Sequence, residues 1–515
     1  MPNYVDDNIN QIVFLDVDYL HVLGEKTFER CLYELLTHHL DLSVFDSAYH
    51  NKKVGRKAYP PAMLLRIIFF AYYRGMTSSR RIAEACETDL KFMALSAGKK
   101  PHFTTIADFA SRHTDAMNHV FHKVLMTCCR SGLVGKEHFA IDGCKLPSDA
   151  SKQWSGTHKD LRRKSAKLKG SAQKIIDKHL SDDNTKEGND SDQGRRRQAV
   201  ETLLKNAKKI DEFLSENTPR MSSGKRHREI QSNITDIDSA KMTTSNGTIQ
   251  GYNCQTVSDE KHQIVVGTEC FGTGPDQSLL QPMVEKIKEH LGKDVFKRDT
   301  LLTADTGYSS EKNMEYLYKE KINAVVPDTN FRQRDPLITH SESVKKHKAH
   351  RQKTRKDKSK GTNGYTADRF TVNRESKICV CPNGYEMMYH GDHFEINNKR
   401  YMRFKSYLKN CRGCPLQTEC MKNPLKEHGR QVSFLVEDED NSNYLDLMKK
   451  KIDSEQGKRD YAKRMWTIEP VFANITSNKG INKLTLRGKA KVTCQWMMCC
   501  IVHNIEKLWR YGDYA

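Results

Sequence analysis

The chain has 515 residues, room for about three or four domains of ordinary size. Its 85 Lys and Arg against 65 Asp and Glu leave a net charge of +20, which points to an anionic partner, nucleic acid first; a basic surface of merely solvated lysines is the plainer alternative. The longest apolar stretch, Ala62–Tyr73, is too short to span a bilayer and carries Arg66, and the acidic opening MPNYVDDNIN lacks the features of a secretory signal, so a cytoplasmic protein without membrane contact is expected.

Residues 1–130 read as a helical N-terminal domain. Pro60 and Pro61 suit the first turn of a helix through MLLRIIFFAYY, and Gly75 stops it. SSRRIAEACETDLKFMALS reads as one helix capped by Ser78 or Ser79, and TTIADFASRHTDAMNHVFHKVL as another. Arg80, Arg81, Lys99 and Lys100 near the turns suit a DNA-binding domain, with a plain helical bundle as the alternative.

A strand follows in EHFAIDGCKLP, with Asp142 inside it, so 131–150 opens an α/β core. Residues 151–235 are a basic helical insertion: two helical stretches flank the polar linker SDDNTKEGNDSDQG. The α/β pattern returns over 236–330. TIQGYNCQTVSD and KHQIVVGTECF read as paired strands, PDQSLLQPMVEKIKEHLG as a helix, TLLTAD and INAVVP as further strands. Asp276 is expected to cap the helix that follows it, with a fourth acid near a site as the alternative. Residues 331–440 form a basic and Cys-rich insertion. Residues 441–515 are helical, and KAKVTCQWMMCCIVHNIEKLW has an apolar face wide enough to cover a sheet.

Three acids stand out. Asp305 ends the apolar run TLLTA, Asp142 lies in another apolar strand, and Glu469 sits in a helical stretch with basic and aromatic neighbours. A carboxylate at the end of a buried strand needs a positive partner, and in α/β sheets ligands collect at that end. A hard divalent ion takes oxygen ligands, so Mg²⁺ (or Mn²⁺) held by converging acids is the expected centre of phosphoryl-transfer chemistry.

IDGCKL, GYNCQTVSDEKHQIVVG, ADTGY and the Tyr and Arg upstream of EPVF together resemble the DDE transposases of bacterial insertion sequences. YPPAMLLRIIFFAYYRGMTSSRRIAEACETDLKFM and FTTIADFASRH are similar to the helical N-terminal domain of the same proteins. The resemblance runs over roughly 40–145 and 230–510. It implies an α/β fold with an RNase H-like mixed sheet core, interrupted by the helical and Cys-rich insertions, with Asp142, Asp305 and Glu469 as the metal-binding catalytic acids. It implies DNA as partner, both element ends and target, and a homodimer on paired ends. Tyr461, Arg464 and Lys479 would contact DNA; the family's Lys seven residues after the Glu is Thr476 here, so Lys479 or Lys483 would have to replace it. The Arg464–Glu469 spacing is one residue longer than the family pattern. Asp236 and Asp238 fall in a segment that also resembles the family but receive no catalytic role. Trp466 either stacks on an unpaired base near the cut or packs in the core, the simpler reading. The implied activity is end binding, strand cleavage and strand transfer. A transposase-derived DNA-binding protein without catalysis and an RNase H-like nuclease are the alternatives.

Among the 15 cysteines, Cys411 and Cys414 form a CxxC, with Cys381 before and Cys420 after. These four suit a structural Zn²⁺, with Cys379 as a spare; reduced, buried thiols are the alternative.

Overall fold

Strand β1, His138–Pro147, is the axis of the computed structural model. The structure describes residues 17–49, 57–183, 190–222, 227–245, 247–297, 299–334, 364–396, 399–421, 429–436 and 444–512. The basic tract His340–Gly361 and residues 184–189 of the SDDNTKEGNDSDQG linker lie outside them. The described chain divides into two units, one of Met1–Thr329 with Ser454–Ala515 and one of Asn330–Asp453.

In the first unit β1 is joined by β2 (Ala240–Thr244), β3 (Gly247–Asp259), β4 (Val265–Phe271), β5 (Leu301–Ala304) and β6 (Ala324–Val325). β3 pairs antiparallel with β1 along its length, from Phe139↔Asp259 to Pro147↔Gly251. The other edge of β3 is shared: β2 takes residues 247–251 and β4 takes 253–258. On the far side of β1 the sheet turns parallel, β1 to β5 to β6. Phe139, Ala140 and Ile141 are buried on consecutive positions, as expected of a strand covered on both faces.

Among the described residues, seven α-helices precede the sheet: α1 (Tyr19–Leu23), α2 (Phe28–Glu34), α3 (Pro61–Tyr73), α4 (Ser79–Thr88), α5 (Leu90–Leu95), α6 (Phe103–Arg112) and α7 (Thr114–Arg130). Two stretches expected as single helices are each broken. Asp89, in extended backbone, ends α4 and caps α5 with its carboxylate on the Lys91 and Phe92 N–H groups. His113 separates α6 from α7, and His102 caps α6. The hairpin α8 (His158–Asp183) and α9 (Asp190–Glu216) closes on Leu161, Ile210 and Phe213. α10 (Leu280–Leu291) and α11 (Glu311–Lys319) follow β4 and β5.

The chain returns in α12 (Glu455–Thr467), α13 (Glu469–Phe472) and α14 (Lys489–Tyr511). From Val492 to Leu508 nearly every side chain of α14 is buried. A helix apolar on all sides must be wrapped, and α14 packs against β4 on one side and α7 and α3 on another. The N-terminal helices and the sheet thus share one core through α14.

The second unit holds a six-stranded antiparallel sheet: β7 (Thr371–Asn373), β8 (Ile378–Val380), β9 (Glu386–Tyr389), β10 (Phe394–Ile396), β11 (Lys399–Lys405) and β12 (Gln431–Leu435), in the order β10-β11-β9-β8-β7 with β12 on β11. Its core is Phe370, Cys379, Met387, Met402, Phe404 and Val432.

Candidate active site

Parallel pairing of β1 with β5 stops at Ile141↔Ala304, and the next residue on each strand is an acid, Asp142 and Asp305. β1 runs on against β3, with Asp142 opposite Thr256. The chain at Asp305 instead leaves the sheet through the tight turn Thr306–Tyr308. Two carboxylates are therefore set side by side by the register itself.

α12 supplies their counter-charges. Nη2 of Arg464 lies 2.5 Å from Asp142 Oδ2, and Nη1 lies 3.6 Å from Glu469 Oε1. Three residues earlier on the same helix face, the Tyr461 hydroxyl donates to Asp305 Oδ1 at 3.4 Å. In a continuous helix Glu469 would lie roughly 140° round the axis from Arg464. The helix does not continue: it breaks at Ile468 (φ −107°, ψ −33°), and α13 starts afresh at Glu469 with Pro470 in its first turn. The break brings Glu469 to Arg464 despite the five-residue spacing. Arg464 thus meets two of the predicted acids, and Tyr461 on the same helix meets the third.

Burial pushes the Asp142 carboxyl up to about 6, more than Arg464 and the Gly143 N–H lower it, and Asp305 and Asp276 add to the rise. Burial works against the Arg464 charge, yet Asp142, Asp305, Tyr461 and Glu469 outweigh it and hold that group above its ordinary value. Arg464 Nε is buried without a hydrogen-bond partner. Among the described residues no three His, Cys, Asp or Glu side chains stand close enough to hold a metal ion. The donor chemistry nonetheless fits a hard divalent cation: the carboxylates carry more negative charge than Arg464 balances, and every donor is oxygen.

Asp276 does not cap a helix. α10 begins at Leu280, and its N-cap position, Leu279, makes no side-chain cap. Asp276 Oδ1 instead accepts from Asn253 Nδ2 at 2.6 Å and Gln255 Nε2 at 3.0 Å. The signal was in β3: GYNCQTVSD places Asn253 and Gln255 two apart on one face of a buried strand, and buried amides need partners.

Trp466 is 51% exposed rather than part of the core. Its indole N–H donates to Glu260 Oε1 at 3.2 Å, and the other oxygen of Glu260 lies 3.2 Å from Nδ1 of buried His138. Lys479 is not among the acids. Its ammonium is buried, 2.5 Å from Glu506 Oε2 and 2.8 Å from Asn474 Oδ1, which leaves it no free donor face for a phosphate. Lys483 is exposed, 3.8 Å from Asp149. Asp236 accepts from the Tyr252 hydroxyl and Gly488 N–H, and Asp238 from Lys489 N–H, both positions that tie down the start of α14.

In the second unit Cys379 is fully buried, while Cys381, Cys411, Cys414 and Cys420 are half-buried and all are free thiols. Cys381 and Cys420 pack on the same apolar core. Cys411 Sγ accepts the Arg430 N–H at 3.4 Å. The Cys420 thiol is pushed up by burial; Arg430 lowers it, and Cys411, Cys381 and Cys414 raise it.

A transposase reading now has independent support. Residues 380–509 match the family described as Transposase DDE domain, and residues 22–112 match Transposase domain (DUF772). Two separate stretches of the chain, together less than half of it, are thus similar to transposase families. The first match contains Glu469, Arg464, Tyr461 and the four cysteines; the second spans most of the N-terminal helices. Asp142 and Asp305 lie outside both. No curated protein matches the chain. Among its described residues, no helix is long and apolar enough to cross a membrane.

Proposed function

We propose that this protein is a DDE transposase that binds the ends of its own element and cuts and joins DNA strands at the site formed by Asp142, Asp305 and Glu469. The observation that carries the reading is that one helix, α12, reaches all three acids, 327 positions apart from first to last (469 less 142): Arg464 pairs with Asp142 and Glu469, and Tyr461 bonds Asp305. The sheet order β4-β3-β1-β5-β6, antiparallel then parallel, supports an RNase H-like core.

Asp142, Asp305 and Glu469 would hold Mg²⁺ or Mn²⁺, which when bound favours ionisation of an attacking hydroxyl and offsets charge on the phosphate. Arg464 keeps the acids together and has a buried Nε–H that a phosphate oxygen would satisfy. Tyr461 orients Asp305. Trp466, exposed and held by Glu260, offers an indole face to a base beside the cut. Lys483 is a better candidate than Lys479 for a phosphate contact, because only its ammonium reaches solvent. A homodimer on paired ends follows from the family reading.

The test is cleavage of a duplex carrying the DNA that flanks the reading frame, in Mg²⁺ or Mn²⁺. The wild type should bind and cut it, and Asp305→Ala should bind without cutting. A wild type that binds but never cuts, under either ion, would leave only a DNA-binding role.

For the cysteines we infer a structural Zn²⁺ held by Cys381, Cys411, Cys414 and Cys420. Four half-buried thiols at one end of a small sheet, one already accepting an N–H, support thiolate ligands. Metal analysis of the purified protein should find about one zinc per chain, lost in Cys411→Ser with Cys414→Ser. Zinc-free wild type with four titratable thiols would refute it.

A further inference from the structure

We propose that Asp276 is a positioning residue for the reaction, holding β1 at Asp142 and the turn after Asp305 at their working separation. This rests on the reading of those two acids as catalytic. Asn253 and Gln255 fix Asp276 Oδ1 to β3. In the register Gln255 faces Gly143 and Asn253 faces Lys145. The pleat therefore puts Asp276, Gly143 and Lys145 on one face of the sheet and the Asp142 side chain on the other. Asp142's face is the one that α14 covers, since its opposite residue Thr256 accepts the Trp496 indole N–H. Asp276 backs the site from behind.

It backs both acids at once. A Cβ on Gly143, the residue after Asp142, would collide with Gln255 Nε2 at 2.2 Å and Asn253 Oδ1 at 2.3 Å, the two amides that hold Asp276, and would lie 3.2 Å from Asp276 Oδ1 itself. A Cβ on Gly307, two residues after Asp305, would come within 3.0 Å of Asp276 Oδ2. Strand and turn both carry glycine where Asp276 and its amide partners pack. Neither Gly143 nor Gly307 has a positive φ, so close approach rather than backbone conformation explains them. The ties continue on each side. The Tyr308 hydroxyl donates to Gln255 Oε1, and Asn313 Nδ2 donates to both Tyr308 O and Gln277 O, each at 2.7 Å. Lys145 Nζ, 4.0 Å from Asp276 Oδ2, supplies the nearest positive charge. Displacing two metal-binding acids by a fraction of an ångström slows chemistry more than binding.

Cleavage of the flanking-DNA duplex is measured with Mg²⁺ varied, for Asp276→Ala, Asp276→Asn and Asp276→Glu beside Asp142→Ala. Asp276→Ala should cut about a hundredfold more slowly at saturating Mg²⁺ and need more Mg²⁺ for half its maximal rate, with duplex binding unchanged. Asp276→Asn should recover most of the rate, because its carbonyl oxygen still accepts from both amides in the same space. Asp276→Glu should be slow, since its extra methylene runs into Gly143 and Gly307. Wild-type rate and Mg²⁺ dependence in Asp276→Ala would overturn the proposal, as would Asn and Ala variants equally impaired. If Asp276→Ala does not fold, Asp276→Glu decides: normal cutting refutes the role. Normal cutting by Asp142→Ala would instead sink the active-site reading.

Discussion

Arg464 is the residue on which the site turns. It is nearly buried, meets two acids and stands within electrostatic reach of a third. Removing one member of a buried pair leaves the other charge stranded, at about 3–5 kcal/mol. Arg464→Ala should therefore lower stability by about that much in buffer free of divalent ions. Most of the loss should vanish in an Asp142→Asn background, with a coupling above about 1 kcal/mol by urea unfolding; additive losses would mean that the pair is not coupled. At this scale the sequence was readable where chemistry and pattern coincide. An acid closing an apolar strand marks Asp305 without help from the fold. Asp276 was not readable: Asp ahead of a helical run looks like a cap, and only the register of β3 shows what it faces.

Among the elements, the break between α12 and α13 matters most. The sequence shows Arg464 and Glu469 at a spacing that misaligns them on one helix; the hinge at Ile468 and Pro470 resolves it. α14 is the other decisive element, and its His503 gives a separate test. Its Nε2–H donates to Gln263 O at 2.8 Å and its Nδ1 accepts from Asn474 Nδ2 at 2.9 Å, which suits one neutral tautomer. Burial, helped by Lys507 and Lys479, pushes it down to about 4, although Gln263 and Glu506 act the other way. The unfolded chain takes up that proton near pH 6.5, so the folded state gains from neutral His503 above that pH and loses the gain as pH falls from about 6.5 to about 4. The loss is on the order of 3 kcal/mol. Asp142, with its carboxyl raised to about 6, acts oppositely over part of the same range, so the difference between proteins is what counts. His503→Gln should flatten the fall in unfolding free energy between those limits; an unchanged profile would place the acid sensitivity elsewhere. Short broken helices such as α4 with α5 were hidden in sequence because capping at Asp89 is a local choice that periodicity does not register.

For the whole molecule, the net charge of +20 and the mixed sheet were legible from composition and alternation. The sheet of the second unit was not. Its strands are three to seven residues long, and one reads KRYMRFK, where cations alternate with the residues that pack. The Cys spacing drew the eye there without revealing the strands between. Segments remote in sequence bring Asp142, Asp305 and Glu469 to one helix, α12, and metal contact by these acids is the central claim of the proposed function. Asp305→Cys tests it directly, because a thiolate is a poor ligand for Mg²⁺ and a better one for Mn²⁺. The account predicts that this variant fails to cut the flanking-DNA duplex in Mg²⁺ and regains cutting in Mn²⁺. Cutting by Asp305→Cys in Mg²⁺ at the wild-type rate would contradict it.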